Sequence, residues 1–135
     1  MAEQKGASRT FSFPPFRRPD YTAGLTTHSA TMSHFIADDG ARIHVRISGE
    51  GPPIVMLHGW TSSHHEWAPL LNDLNQHHRV YRWDARGHGG HPVDNGNLPT
   101  AERMAQGFAN LLDHYALEKV VAVGHSMGAL TLWQY

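Results

Sequence analysis

From Ser33 onward the polar and apolar positions fall into short, regular blocks. Ser33–Ala37 is a strand candidate, and Asp38-Asp39-Gly40 is a turn whose glycine can take the positive φ a hairpin needs. Ile43, Val45 and Ile47 then alternate with Arg42, His44, Arg46 and Ser48. A period of two with one polar face predicts a half-buried antiparallel strand. Gly49-Glu50-Gly51-Pro52-Pro53 ends it. The next block, Ile54-Val55-Met56-Leu57, is apolar without alternation, so both its faces are expected to be covered, as in a parallel sheet between helices.

Helical and strand periods alternate from there. Ser63 with Glu66 three positions on has the form of a capping box. Trp67, Leu70, Leu71 and Leu74 follow at the spacing of one helix face. Val80–Trp83 is the next strand and ends at Asp84; a glycine-rich loop containing Pro92 and Asn95-Gly96 follows. Thr100 can cap a second helix with the face Met104, Phe108, Leu111, Leu112 and Tyr115. Val120–Val123 predicts a third buried strand, and the residues from Met127 on have helical character. A hairpin followed by strand–helix alternation predicts an α/β sheet with helices packed on its faces. Residues 1–31 show no such period. They are rich in Ser, Thr, Pro and Arg, and are expected to form a disordered or loosely attached arm ahead of a domain over 32–135, with Met32 a candidate translation start.

Composition narrows the function classes. Hydrophobic residues make up 40% and charged residues 17%, an ordinary globular balance. A net charge of −1 gives no basic surface for nucleic acid or an anionic membrane. No apolar run approaches the roughly 20 residues of a membrane span, and the first residues lack a secretory apolar core. Cysteine is absent, which removes disulfides and thiolate metal sites and fits a cytoplasmic location. The 12 histidines suggest a metal site, but no HExxH occurs, and His64-His65 and His77-His78 are adjacent pairs that cannot share a helix face. No metal or cofactor is expected, and most of these histidines are expected at the surface or in loops.

Three motifs carry the chemistry. Gly124-His125-Ser126-Met127-Gly128 is a G-x-S-x-G between a predicted strand and a predicted helix. A tight turn there lifts the serine hydroxyl above the sheet, beside the positive end of the helix. His58-Gly59-Trp60 follows the strand 54–57. Acyl transfer passes through an oxyanion that needs two donors. The backbone N–H groups of Met127 and Trp60 are the candidates, with Gly59 allowing close approach of the chain. Asp84-Ala85-Arg86-Gly87-His88-Gly89 is expected to be structural, with Asp84 and Arg86 fixing a loop by hydrogen bonds. Gly49-x-Gly51 and Gly87-x-Gly89 both fail as dinucleotide-binding loops.

Taken together, these three motifs resemble the α/β-hydrolase superfamily in its esterase and haloperoxidase-like branch. The resemblance covers about residues 33–135, the first half of that family's domain. It implies an α/β-hydrolase fold, a mostly parallel sheet with helices on both faces, truncated after the fifth strand and the start of the following helix. It further implies the strand order 1-2-4-3-5, with Ser126 following strand five. His91 departs from the serine that related sequences carry in that loop. A serine at the elbow disfavours the epoxide hydrolases and dehalogenases that use an aspartate nucleophile.

In this fold the catalytic acid and histidine follow the serine along the chain. No Asp, Glu or His follows Ser126 here. The sequence is therefore expected to be a piece of a longer serine hydrolase, inactive alone, that acts on a small-molecule ester or related acyl bond. An acyltransferase, a haloperoxidase-like perhydrolase and a non-catalytic binding protein of the same fold are the alternatives.

Overall fold

The structure, a computed structural model, describes residues 30–90 and 99–135. The glycine-rich loop residues 91–98, with His91, Pro92 and Asn95-Gly96, lie outside it, as do residues 1–29 of the expected arm. Thr31, at the end of that arm, pairs with Ile47.

Strand β1 (Thr31–Ile36) and strand β2 (Arg42–Ser48) form the antiparallel hairpin that the alternating pattern predicts. Gly40 turns it at φ 87°, and the Ala37 N–H closes the turn on the Ala41 carbonyl at 2.8 Å. Ile43, Val45 and Ile47 all point into the core. Strands β3 (Pro53–Leu57), β4 (Arg79–Trp83) and β5 (Val121–Gly124) run parallel to one another, and the sheet order is β1-β2-β4-β3-β5. β2 meets β4 antiparallel, so the sheet joins a parallel half to a hairpin. Among the described residues no helix is long and apolar enough to cross a membrane.

Helices cover both faces. On one face α2 (Ala101–His114) buries Met104, Phe108 and Leu111 against Phe35, Val55, Tyr81 and Trp83, and Met127 and Leu132 of α3 (Met127–Gln134) pack on the same cluster. On the other face Trp67, Leu71 and Leu74 cover Ile54, Met56 and Val80. Two elements differ from expectation. Trp67–Leu74 is not one amphipathic α-helix. His64–Leu70 forms a 3₁₀ segment, and α1 (Leu71–Leu74) is a single turn. Pro69 lies inside that stretch and offers no N–H to an α-helical ladder. Leu70 consequently faces solvent while Trp67 stays buried. The second difference is β5. Its unbroken apolar run predicts burial on both faces, yet Val121 is 58% exposed, because β5 is the sheet edge among the described residues.

Helix α2 starts and stops for local reasons. The Thr100 hydroxyl accepts the Arg103 N–H at 3.1 Å at its start. At its end the Ala116 N–H bonds the Asp113 carbonyl and the Leu117 N–H bonds the Leu112 carbonyl, a Schellman closure. Ala116 holds the left-handed position at φ 52°, where a Cβ is unfavourable. Ala116→Gly is expected to stabilise the protein by roughly 0.5–1 kcal/mol. A thermal melt of the two proteins checks this, and a lower melting temperature in the variant would contradict it.

Candidate functional site

The C-terminal ends of β3, β4 and β5 carry all three motifs. At the end of β3 His58 is fully buried. Its Nε2 accepts the Ala85 N–H at 3.0 Å, and its Nδ1 donates to the Gly59 carbonyl at 2.8 Å. An amide N–H at Nε2 requires a lone pair there, so the ring is neutral with its proton on Nδ1. His88 repeats the arrangement, with Nε2 accepting the Thr61 N–H at 3.0 Å and Nδ1 donating to the Arg86 carbonyl at 2.8 Å. His64 Nδ1 and the His64 N–H both bond Asp84, each at 2.8 Å. His58 and His88 lie in loops, as expected of most histidines here, and His64 opens the 3₁₀ segment; all three are buried rather than at the surface. The rings of His58 and His88 tether backbone of one loop to another, whereas His64 is held through its ring and its N–H by the Asp84 carboxylate.

Asp84 and Arg86 fix loops as expected, although through partners at a distance in sequence. Asp84 holds the start of the 3₁₀ segment, and Arg86 reaches Asp39 in the β1–β2 turn at 2.5 Å. Gly89, at φ 60°, is required beside Asp84, since a Cβ there would stand 2.3 Å from the Asp84 Cγ.

His58 and His64 make stability depend on pH. Burial pushes the pKa of His58 below its ordinary value despite the Gly59 carbonyl, and burial does the same to His64 despite Asp84. A group with a depressed folded pKa contributes its full stability above its unfolded value, about 6.5 here, and loses it as the pH falls through the folded value. The melting temperature is expected to fall between about pH 7 and pH 5, before the carboxylates titrate. His58→Gln should flatten that slope. An unchanged slope in the variant would remove His58 as a source.

The G-x-S-x-G forms the turn between β5 and α3. Ser126 sits at φ 50°, ψ −109°, a conformation costing about 1–3 kcal/mol for a residue with a Cβ. Both flanking glycines are obligatory. A Cβ on Gly124 would lie 2.5 Å from Gly128 backbone, and one on Gly128 would lie 2.0 Å from the Leu57 carbonyl oxygen. The same Leu57 oxygen accepts the His125 N–H at 3.1 Å, which ties the turn to the end of β3. Ser126 itself is exposed, and among the described residues no side chain bonds its hydroxyl.

Gly59 packs directly on the His125 ring. A Cβ on Gly59 would come within 2.8 Å of His125 Nδ1. The segment carrying Trp60 and the turn carrying Met127 therefore start from touching residues. Among the described residues neither the Trp60 N–H nor the Met127 N–H has an acceptor. The Trp60 ring stands edge-on to His88 at 5.1 Å.

Glu66 is the functional candidate that the sequence pattern hides. Ser63 does cap the 3₁₀ segment, its hydroxyl accepting the His65 N–H at 3.3 Å. The Glu66 carboxylate, however, does not return to Ser63 as a capping box requires. Its Oε2 accepts the Gly59 N–H at 2.8 Å, and its Oε1 pairs with His125 Nδ1. Burial raises the Glu66 pKa, but the Gly59 N–H, the Ser62 side chain and His125 together outweigh it and hold the group below the usual range. Among the described residues no group of three His, Cys, Asp or Glu side chains is placed to hold a metal ion.

Comparison with known proteins agrees with this geometry. The family model for the alpha/beta hydrolase fold matches residues 52–135. The chain is similar to a non-heme haloperoxidase from Rhodococcus erythropolis, 34% identical over 105 residues, covering 77% of this chain and 38% of that protein. It is also similar to a soluble epoxide hydrolase from Corynebacterium sp. strain C12, 32% identical over 106 residues, covering 77% of this chain and 34% of that protein. A solved hydrolase from Pseudomonas aeruginosa PA01 superposes with a TM-score of 0.69 at 30% identity, covering 74% of this chain and 38% of that one. The chain thus spans well under half the length of these proteins.

Proposed function

Because the chain belongs to the α/β-hydrolase fold family, we propose that it carries the nucleophile of a serine hydrolase that cleaves an ester or related acyl bond. The observation that carries this reading is Ser126 at its strained φ of 50° between β5 and α3, with its hydroxyl exposed and the helix N-terminus beside it. Ser126 Oγ attacks the acyl carbon, and its proton passes to a histidine. The oxyanion accepts hydrogen bonds from the Trp60 and Met127 N–H groups. Collapse expels the alcohol, which takes the proton from the histidine. Water then attacks the acyl-enzyme with the same histidine as base, releasing the acid and restoring Ser126.

Neither His58 nor His88 suits the role of base. Both ring nitrogens of each are engaged with backbone. In the family order the acid and the histidine come after the serine, so this mechanism draws them from sequence beyond Tyr135. The likeness to proteins named epoxide hydrolases is weighed by the chemistry of the nucleophile. A serine opening an epoxide would leave an ether, which water does not readily cleave. A serine acylated by an ester leaves another ester, which water does cleave. Ser126 therefore favours an acyl substrate. A second reading, transfer of the acyl group to peroxide, draws support from the relative named a non-heme haloperoxidase.

The test is covalent labelling with a fluorophosphonate in the full-length protein that carries this chain. Label on Ser126 that disappears in Ser126→Ala is the expected result. Equal labelling of the variant would overturn the assignment.

A further inference from the structure

We propose that Glu66 is a positioning residue that clamps the Gly59–Trp60 segment to the Ser126 turn, a role that rests on the serine-hydrolase reading for its catalytic consequence. Gly59 is a flexible residue flanked by two peptide groups, and both are pinned. The peptide before it is held through its N–H by Glu66 Oε2 at 2.8 Å. The peptide after it is held through the Gly59 carbonyl by His58 Nδ1–H at 2.8 Å. That second peptide also contains the Trp60 N–H, so its direction is fixed by these two bonds. The other Glu66 oxygen pairs with His125, the residue immediately before Ser126. One carboxylate thus touches both the donor segment and the nucleophile turn.

Glu66 is itself well anchored. Its own N–H bonds the Ser63 carbonyl at 3.0 Å, and the next residue, Trp67, is buried. Two residues earlier, His64 is held by Asp84. The carboxylate therefore projects from a fixed segment onto two loops whose other direct tie among the described residues is backbone pairing at the end of β3, through the His125 N–H to the Leu57 carbonyl. The His125 side chain is 64% exposed, so the pair is open to solvent on one side, and the bond to the Gly59 amide is the better shielded of the two. Misplacing an oxyanion donor by about 1 Å costs up to about 100-fold in rate.

The clamp makes different demands on different replacements. Glu66→Gln keeps an acceptor for the Gly59 N–H, whereas Glu66→Ala removes it. In the full-length protein the second-order rate of fluorophosphonate labelling at Ser126 is expected to fall about 10–100-fold in Glu66→Ala. Glu66→Gln should stay within about 5-fold of the parent. Hydrogen exchange at the Gly59 amide should accelerate at least about 10-fold in Glu66→Ala and change little in Glu66→Gln. Melting temperatures are recorded alongside. A merely structural role would lower them without changing the labelling rate of the folded protein. Should Glu66→Ala fail to fold, Glu66→Met takes its place as a side chain of similar length without an acceptor. Unchanged Gly59 exchange in the folded variant overturns the clamp, as does Glu66→Gln labelling as slowly as Glu66→Ala. Altered exchange with no label on Ser126 in the parent protein would leave the clamp standing and remove the serine-hydrolase reading instead.

Discussion

Ser126→Ala in the full-length protein is expected to lower turnover of a small activated ester by about 10⁴–10⁶-fold while leaving the fold intact. The size of the loss follows from the chemistry. Without Oγ no acyl-enzyme forms, and what remains is the smaller acceleration that bound substrate and two backbone donors can give to direct attack by water. The survival of the fold follows from the structure. Ser126 is exposed, and its hydroxyl bonds no side chain among the described residues, so its loss leaves no buried group without a partner. Alanine takes the same φ of 50° at a similar cost. The melting temperature is therefore expected to change by only a few degrees. A steady-state assay on the pair, with a melt of each, checks both halves. Turnover in the variant within about 10-fold of the parent would move the nucleophile elsewhere.

Residues 1–135 produced alone are expected to be poorly soluble and to hydrolyse esters no faster than their own Ser126→Ala variant. The structural reason lies along β5 and α3. Val121 is 58% exposed at the sheet edge, and Leu130, Trp133 and Tyr135 of the following segment are exposed too, Trp133 to 91%. An apolar edge strand with unpaired backbone groups invites pairing between copies. Helix α3 spans only eight residues, too short to be stable by itself, and buries only Gly128 and Thr131. The chemical reason is the absence of a base at Ser126 among the described residues, because an unassisted serine hydroxyl is a weak nucleophile. Sedimentation, a melting curve and an ester assay on the isolated chain decide the matter. A soluble monomer with a sharp transition would contradict the structural argument, and Ser126-dependent turnover would contradict the chemical one.

What could be read from the sequence was what local pattern encodes. The alternation at Ile43, Val45 and Ile47 gives the hairpin, the unbroken run Ile54–Leu57 gives a strand covered on both faces, and Thr100 gives the start of α2. The turn at Ser126 is legible because it leaves a fixed mark in the sequence, a glycine two residues to either side, even though the Gly128 requirement arises from the distant Leu57 carbonyl. Other features depend on what the chain meets after folding. Pro69 breaks the α-helical ladder implied by Trp67, Leu70, Leu71 and Leu74. The apolar run ending β5 is a signal for burial, but coverage depends on a neighbour on its outer side. Buried His58, His64 and His88 look like any polar residue until their partners, backbone for His58 and His88 and the Asp84 carboxylate for His64, are known. Glu66 is the sharpest case. Its spacing from Ser63 is that of a local cap, whereas its carboxylate serves Gly59 and His125. A side chain that bridges two loops leaves no period in the sequence.

The central claim is that Ser126 becomes acylated. The direct measurement is to mix the full-length protein with p-nitrophenyl acetate, quench it in acid during the first turnovers, and locate the acetyl group by peptide mass spectrometry. Acetyl on Ser126, absent in Ser126→Ala and lost as turnover proceeds, is the predicted result. Turnover that depends on Ser126 but leaves no acetyl on that residue at any quench time, or acetyl resident on another side chain, would contradict the account.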